Sequence, residues 1–249
     1  MDHISATIIT LNEEKNIERC LNSLHGIADE IIIVDSGSTD NTIAICERYG
    51  ARVVSRPFNG YGVQRQFATT LATHNYIIAI DADEALSEEL RNHILEIKEQ
   101  GFSHRVYAMP TVSYCMGRQV RHSDTESAPT RLFNKRYAQW NLRDVGERVT
   151  FPDSLRPETL HGTLHHYRWN DPDELYDKMH SQALIAAEVH RSKGGTTGPV
   201  TAAMKSAATY LRCLFKEGAI LDGDTGRTIA AAKARAIRNA FRKEKTQCK

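Results

Sequence analysis

The first hundred residues alternate short apolar runs with amphipathic stretches. The runs contain four to seven residues and are rich in Ile and Val, which is typical of buried strands; they cover residues 4–10, 30–34, 52–55 and 76–80. Apolar residues then recur at helical spacing, as in Ile17, Cys20, Leu21 and Leu24, and Ser87 precedes another such stretch as an expected N-cap. The alternation predicts an α/β fold with a parallel sheet and helices on both faces.

Two carboxylates come directly after the fourth apolar run. In open α/β sheets, ligands bind beyond the carboxyl ends of the strands, which is where Asp81 and Asp83 are expected to lie. Residues two apart on an extended tip point to the same side, and carboxylate oxygens suit Mg²⁺ or Mn²⁺. This Asp-x-Asp (DXD) motif also occurs in solvated turns, so the other motifs must decide its meaning.

From about residue 105 the pattern becomes less regular. Further strands are predicted at 106–109, 112–115 and 131–134, separated by polar segments of the kind that carry specificity. A helix is predicted over 173–191. After the break at 194–199, apolar stripes predict two more helices, the second with basic flanks at Arg235, Arg238 and Arg242.

The charge distribution and the cysteine content indicate the expected location and partners of the protein. Residues 227–249 carry a net charge of +7, which leaves −6 for the first 226 residues because the whole chain is at +1. The five cysteines are scattered without metal-ligand spacing, and no signal peptide or membrane-spanning run is evident, so a cytoplasmic protein is expected. The basic helices either pack on the body or lie on an anionic membrane surface. No groove-reading motif accompanies the basic tail, so nucleic acid is not an expected partner.

The residues after the strands exclude several nucleotide-binding families. The first strand leads into Leu11-Asn12-Glu13-Glu14 rather than G-x-G-x-x-G, and no P-loop sequence is present. A phosphatase of the haloacid-dehalogenase type would place its Asp-x-Asp after the first strand and continue into Gly-Thr. Here the motif ends the fourth strand and continues into Glu84-Ala85, which disfavours that alternative.

Three motifs together carry a family resemblance. They are Ile8-Ile9-Thr10-Leu11-Asn12-Glu13-Glu14, Val34-Asp35-Ser36-Gly37-Ser38-Thr39-Asp40, and Asp81-Ala82-Asp83-Glu84. In this order and spacing the chain resembles the inverting glycosyltransferases of family 2. Its motifs at residues 60–68, 131–134, 145–149 and 218–223 are similar to those of the lipopolysaccharide inner-core β-1,4-glucosyltransferases. The resemblance implies a GT-A fold, a Rossmann-like mixed sheet with helices on both faces. We expect this domain over 1–193, with a nucleotide-sugar half (1–104) and an acceptor half (105–193), followed by a C-terminal helical extension over 194–249.

The resemblance also implies the donor site. It places UDP at the first two strand ends and Mg²⁺ or Mn²⁺ at Asp83, with Asp81 contacting ribose or metal. The residues expected to bind the nucleotide are Thr10, Asn12, Glu13, Asp35, Arg65 and Asp81. Two of these have simpler explanations, since Asn12 could only cap a helix and Arg65 could only be an exposed helix residue.

Inversion requires a carboxylate that removes the acceptor's proton. Glu147 occupies the V-x-E position of the resemblance and is the expected base, with Asp144 as the second candidate; a simple pairing of Glu147 with Arg143 or Arg148 is the alternative. Two positions depart from the subgroup: Gly146 stands where it usually has His, and residues 123–126 follow the Arg121-His122 pair where it usually has Gly-Gly-Trp. The resemblance therefore specifies the reaction class more firmly than the acceptor and the transferred sugar. An anionic acceptor would be met by Arg118, Arg121, His122 and Arg131.

The implied activity is transfer of glucose from UDP-glucose to an inner-core heptose of lipopolysaccharide, at the cytoplasmic face of the inner membrane. The alternatives are transfer of another UDP-sugar to a different surface glycan or glycolipid, and a catalytically silent nucleotide-sugar-binding protein. His165 and His166 point to opposite faces of a strand and cannot both ligate one metal, so both are expected to be structural.

Overall fold

The computed structural model describes residues 2–122, 128–143, 146–195 and 198–242. The chain divides into two compact units, of which the first contains Met1–Val112 and Glu126–His166 and the second Ser113–Thr125 and Tyr167–Lys249. In chain order the strands are β1 (Ile4–Thr10), β2 (Glu30–Asp35), β3 (Arg52–Ser55), β4 (Tyr76–Ala79), β5 (Glu84–Leu86), β6 (Val106–Ala108), β7 (Thr111–Cys115), β8 (Arg118–Val120), β9 (Thr130–Asn134), β10 (Gln139–Trp140), β11 (Val149–Thr150), β12 (Glu158–Thr159) and β13 (Leu164–Trp169).

Helices occur where apolar spacing predicted them, and the helix predicted over 173–191 spans Pro172–Ser192. In chain order they are α1 (Ile17–Leu24), α2 (Thr42–Arg48), α3 (Tyr61–Leu71), α4 (Glu88–Gln100), α5 (Pro172–Ser192), α6 (Pro199–Leu211) and α7 (Gly223–Arg242), with a π-helical turn at Arg212–Lys216 and a 3₁₀ turn at Ala219–Asp222. Ser87 caps α4 as predicted, because its side chain accepts a hydrogen bond from the Leu90 backbone N–H.

The first unit is built on a seven-stranded sheet in the order β12-β6-β9-β4-β1-β2-β3. Strands β4, β1, β2 and β3 are parallel to one another, whereas β9 runs antiparallel to β4 and β6. The mixed α/β sheet is therefore confirmed. Thr10 pairs with Asp35 at the ends of β1 and β2, which brings two predicted donor-site residues together at the carboxyl edge.

Apolar residues cover both faces of this sheet. Ile8, Ile33 and Ile78 share one core with helix residues such as Leu21, while the opposite face has its own core around Phe133. Burial on both faces explains why the strands are continuous apolar runs rather than alternating ones. Each fully buried Ile contributes roughly 2 kcal/mol to folding, so the sheet holds the strand ends firmly.

The second unit combines a β-hairpin with the C-terminal helices. Strands β7 and β8 meet at Met116 and Gly117, whose φ angles of 50° and 73° suit a type I′ turn. Helix α5 buries Leu175 and Met179 in the same core as Ile229 and Phe241 of α7. Because of this shared core, α5 and the C-terminal helices belong to one compact unit, and the domain bounds 1–193 and 194–249 stay a prediction.

The C-terminal helical extension is thus present. The apolar stripe of α7 faces α5 and α6, since Ile229, Ala236, Ala240 and Phe241 are at most 4% exposed. For the described part of the basic segment, the packed arrangement is the one observed. Among the described residues, every helix is too short or too polar to cross a bilayer.

Candidate functional site

Asp35 organises the loop that follows β2. Its carboxylate is fully buried and accepts hydrogen bonds from Thr10 Oγ1 (3.0 Å), Gly37 N (2.8 Å) and Ser38 N (2.9 Å). Burial alone would raise the pKa of Asp35, but these bonds and one from the Ser38 hydroxyl outweigh it and lower the pKa below its ordinary value. Asp35 is therefore ionised and holds the strand-end loop in shape.

Asn12 and Glu13 join this loop to the one after β1. The Asn12 N–H donates to Ser38 Oγ (2.9 Å), Asn12 Oδ1 accepts from Thr39 N (2.8 Å), and Glu13 N donates to Thr42 Oγ1 (2.8 Å). Helix α1 starts only at Ile17, so the alternative that Asn12 caps it is wrong. The residues predicted to bind nucleotide at these strand ends form a preorganised rim.

Two buried polar atoms near this rim were missed by the sequence analysis. Gln64 is fully buried and donates from Nε2 to Arg56 O (3.1 Å) and Ser36 Oγ (3.3 Å). Its Oε1 and Arg56 Nη1 are buried without a hydrogen-bond partner among the described residues. Native proteins rarely leave such groups unsatisfied, so this pair is suited to a polar ligand.

Asp81 lies between two arginines rather than in solvent. Its Oδ1 is 2.5 Å from Arg65 Nη1 and its Oδ2 is 3.4 Å from Arg131 Nη2. Burial would raise the pKa of Asp81, but the two guanidinium groups outweigh it and hold the pKa well below its usual range. Arg65 is only 7% exposed, so the alternative that it is a solvated helix residue is wrong.

Glu84 belongs to the same cluster of charged residues and contacts both Arg131 and Asp81. Its Oε1 is 2.7 Å from Arg131 Nη2, and its Oε2 accepts the backbone N–H of Asp81 at 2.8 Å. Burial raises the pKa of Glu84, whose side chain is fully enclosed. Arg131, predicted to meet the acceptor, is thus buried against two carboxylates of the donor side. Glu84 was missed although it directly follows the Asp-x-Asp motif.

His166, on β13, contacts Asp83 although the two residues are 83 positions apart in the chain. His166 Nε2 lies 3.2 Å from Asp83 Oδ2, and both side chains are mostly buried. Strand β13 pairs with β5, with His166 opposite Glu84, which explains why one of the two adjacent histidines enters the site. The expectation that both histidines are structural therefore does not describe His166, which contacts the carboxylate predicted to bind metal.

This pair fits a divalent ion that is completed by its substrate. The described residues hold no cluster of three or more ligating His, Cys, Asp or Glu side chains. One carboxylate oxygen and one imidazole nitrogen are nevertheless typical donors for Mn²⁺, and Mg²⁺ is commonly held by one or two carboxylates plus substrate phosphates. Asp81, by contrast, already directs its oxygens to Arg65 and Arg131.

Glu147 lies near the terminal nitrogen of Arg65 that does not contact Asp81. Its Oε1 is 3.6 Å from Arg65 Nη2, and its side chain is 21% exposed. The guanidinium of Arg65 is also 5.0 Å from the ring centre of Trp140, a second residue that sequence analysis missed. Asp144, the second candidate base, lies outside the described residues. Arg65 is the one ion-pair partner identified for Glu147 in the described structure, in place of Arg143 or Arg148.

A glycine allows the Glu147 loop to approach α3. Gly62 N donates to Arg143 O (3.1 Å), and a Cβ at Gly62 would lie 2.2 Å from Asn141 O. Only glycine permits this backbone contact. Because Gly62 precedes Arg65 by one helical turn, the contact fixes the loop beside the donor-side charge cluster.

The other predicted acceptor residues belong to the second unit. Arg118 is exposed on β8, and the side chains of Arg121 and His122 are also exposed. The backbone N–H groups of Arg121 and His122 donate to the two carboxylate oxygens of Asp222, at 2.9 and 3.0 Å. These bonds anchor the end of the hairpin to the 3₁₀ turn within that unit.

The chain matches the family model for Glycosyl transferase family 2 over residues 5–151. An uncharacterized glycosyltransferase of Rickettsia felis is 42% identical over 56% of this chain and 50% of its own length. The lipopolysaccharide core biosynthesis glycosyltransferase LpsC of Rhizobium meliloti is 29% identical over 86% of this chain and 82% of its own. This chain spans about half the length of the Rickettsia felis protein and of its counterparts from Rickettsia bellii and Rickettsia conorii.

A solved structure is also similar. Glucosyl-3-phosphoglycerate synthase from Mycobacterium tuberculosis, crystallised with Mn²⁺, UDP and glucosyl-3-phosphoglycerate, is 28% identical over 47% of this chain and 45% of its own, with a TM-score of 0.37. The family match, together with the mixed sheet and its flanking helices, confirms the expected GT-A fold with a C-terminal helical extension.

Proposed function

Because the chain belongs to glycosyltransferase family 2, we propose that it is an inverting enzyme that transfers glucose from UDP-glucose to an inner-core heptose of lipopolysaccharide. The observation that carries this proposal is the position of Arg65. Its guanidinium contacts Asp81 next to the metal-binding carboxylate and also lies 3.6 Å from Glu147. The proposed donor-side and acceptor-side carboxylates, Asp81 and Glu147, are thus held by one cation.

Donor binding is assigned to the carboxyl edge of the sheet. The uridine would lie against the rim formed by Thr10, Asn12, Glu13 and Asp35, where Arg56 Nη1 and Gln64 Oε1 offer a free donor and a free acceptor among the described residues. Arg65 Nε is likewise buried without a hydrogen-bond partner in the described structure, so it can donate to a diphosphate oxygen. Asp81 keeps the guanidinium in that orientation.

We assign a divalent cation, Mg²⁺ or Mn²⁺, to Asp83 and His166. These two side chains would bind it together with the diphosphate oxygens of the donor. When bound, the ion acts as a Lewis acid that stabilises the charge developing on the leaving UDP. Asp81 has the different task of holding Arg65 and Arg131, because both of its oxygens face those residues.

Glu147 is the proposed general base. Its carboxylate removes the proton from the acceptor hydroxyl while that oxygen forms its bond to the anomeric carbon. The bond from the same carbon to the UDP oxygen breaks on the opposite face, so the sugar configuration inverts. Arg65 orients Glu147 from the donor side, which couples binding of UDP-glucose to the position of the base. Asp144 remains the second candidate for this role.

The acceptor is proposed from the sequence similarities rather than from the site. LpsC, the relative from Rhizobium meliloti, is named for lipopolysaccharide core biosynthesis, and it aligns with most of this chain. The later sequence motifs resemble the inner-core glucosyltransferases. A lipid-anchored acceptor would place the enzyme at the cytoplasmic face of the inner membrane, with an anionic membrane surface as partner. Arg118, Arg121 and His122 are the proposed contacts to its phosphates.

Two alternatives predict different results in one experiment. The experiment is a screen of UDP-sugars for UDP release, run with lipopolysaccharide acceptors truncated at successive sugars. The proposal predicts release from UDP-glucose only with acceptors that expose an inner-core heptose, and a β-linked product by NMR. Release from another UDP-sugar would support transfer to a different glycan. UDP binding without release on any acceptor would indicate a silent nucleotide-sugar-binding protein.

A further inference from the structure

Helix α6 turns its apolar stripe toward solvent. Val200, Met204 and Leu211 recur at helical spacing and are 73%, 69% and 54% exposed, and the stripe continues into the π-helical turn with Phe215 at 68%. Leu221 in the 3₁₀ turn is 70% exposed. Single exposed apolar residues need no explanation, but five large ones in one helical region form a surface that normally has a partner.

The apolar stripe of α7 cannot be this partner-binding surface. Its residues Ile229, Ala236 and Phe241 are already buried in the core of the second unit. Helix α6 contributes Ala202 to that core and leaves its opposite side bare. A membrane contact through the C-terminal region would therefore use α6 and the turns that follow it.

The charge of this region favours an anionic occupant. Residues 199–216 contain three cations, Lys205, Arg212 and Lys216, and no acidic residue. The carboxylates that follow are already engaged: Glu217 pairs with Arg212 Nε (3.1 Å) and Lys233 Nζ (3.2 Å), and Asp224 pairs with Arg227 Nη1 (3.2 Å). Asp222, next to Leu221, accepts the backbone N–H groups of Arg121 and His122. Lys216 is exposed next to Phe215, which suits a helix that inserts apolar side chains and keeps cations at the lipid headgroups.

We propose that Val200, Met204, Leu211, Phe215 and Leu221, with Lys216 beside them, form a docking surface for an anionic lipid bilayer. A second copy of the chain is less suitable, because residues 199–216 bring only cations and the neighbouring carboxylates Glu217 and Asp224 already pair with Arg212, Lys233 and Arg227. The inference rests on the proposed function, for which it specifies the surface that meets the membrane partner. It is testable without donor or acceptor, so its failure is distinct from failure of sugar transfer.

The test is flotation of the full chain with vesicles made of equal parts phosphatidylcholine and phosphatidylglycerol. We expect the wild-type protein to float with these vesicles and to bind pure phosphatidylcholine much more weakly, with added salt reducing the bound fraction. Phe215→Glu should lower the partition coefficient by more than about tenfold, because it removes a large apolar contact and adds a repelled charge. Lys216→Glu should lower it about fivefold or more.

The matched control is Ile185→Glu on α5, which is 61% exposed and lies outside the proposed surface. It should leave flotation unchanged. Equal flotation of Phe215→Glu and wild type would overturn the proposal, as would equal binding to the two vesicle types. Sedimentation of the same proteins tests the other occupant: a wild-type dimer that Phe215→Glu converts to a monomer would assign the surface to a second copy instead.

Discussion

Arg65 Nη2 lies 3.6 Å from Oε1 of Glu147, while the other terminal nitrogen of the same guanidinium contacts Asp81. One planar cation therefore contacts both Asp81 and Glu147, the proposed base. Arg131 contacts the other carboxylate oxygen of Asp81, and Glu84 accepts the Asp81 backbone N–H, so Arg65 links Glu147 to a buried network of charged residues.

Arg65→Lys tests this bridge. Lysine retains the charge but cannot contact two carboxylates in a fixed plane, so we expect kcat/KM to fall roughly 100-fold through misplaced groups. UDP affinity, measured by calorimetry, should also weaken. Arg48→Lys, an exposed change on α2, is the control and should behave as wild type. A variant with normal turnover would show that the bridge is not needed.

Gly62→Ala tests the contact that places the Glu147 loop. A methyl group at this position would overlap Asn141 O, which is backbone and must move. We expect kcat to fall at least about tenfold and by more than UDP affinity, because the overlap displaces the backbone at residues 141–143, whereas the proposed UDP contacts Gln64 and Arg65 lie on α3 itself. Gly198→Ala, where a Cβ meets nothing within 4 Å, should leave both quantities unchanged. A parallel loss of UDP affinity would contradict this separation.

Asp83→Ala and His166→Gln test the metal assignment. Each variant loses one proposed ligand, so calorimetry should show UDP binding that no longer tightens when Mn²⁺ is added. Asp81→Asn should instead retain some Mn²⁺ dependence and lower the melting temperature, because Arg65 and Arg131 lose their shared partner in a buried cluster. Full Mn²⁺ dependence in both Asp83→Ala and His166→Gln would refute the assignment.

Asp29 gives the first unit a pH-dependent stability. Its carboxylate contacts Lys98 Nζ (2.7 Å) and accepts the Ile4 N–H (2.8 Å). Burial opposes ionisation, but these contacts outweigh it and lower the pKa of Asp29 to about 2. A lowered folded-state pKa stabilises the fold above about pH 4, and that contribution is lost as the pH falls toward 2.

Asp29→Asn should therefore cost about 2 kcal/mol in urea unfolding near neutral pH. The difference from wild type should shrink as the pH is lowered from about 5 to 2. Asp224→Asn, whose native carboxylate is 84% exposed, serves as the control and should show little difference at any pH. A difference between Asp29→Asn and wild type that stays constant over this range would contradict the lowered pKa.

The strand and helix pattern could be predicted because each element is locally consistent. The apolar runs are buried on both faces, and the strand-end motifs at Thr10, Asp35 and Asp81 all meet at the expected edge or next to it. Local sequence does not reveal pairing over long distances. Arg131 carries the same signal as any loop arginine, and only β9 pairing with β4 brings it against Asp81 and Glu84.

His166 shows where a valid sequence argument was incomplete. Adjacent residues of a strand do point to opposite faces, which excludes two ligands but leaves room for one. The pairing of β13 with β5 selects His166.

The exposure of the C-terminal helices could not be predicted from the sequence either. The apolar stripes in the regions of α6 and α7 look alike in the sequence, yet tertiary packing buries Phe241 and leaves Phe215 exposed.

The most direct test of the central claim compares wild type with Glu147→Gln on UDP-glucose and a lipopolysaccharide acceptor that exposes its inner-core heptose. Calorimetry should show unchanged UDP affinity for the variant, because the proposed role of Glu147 is to take the acceptor proton and not to bind UDP. UDP release should fall by roughly 100-fold or more, since glutamine cannot accept the hydroxyl proton. Near-normal release by Glu147→Gln would contradict the proposed base and the inverting mechanism built on it.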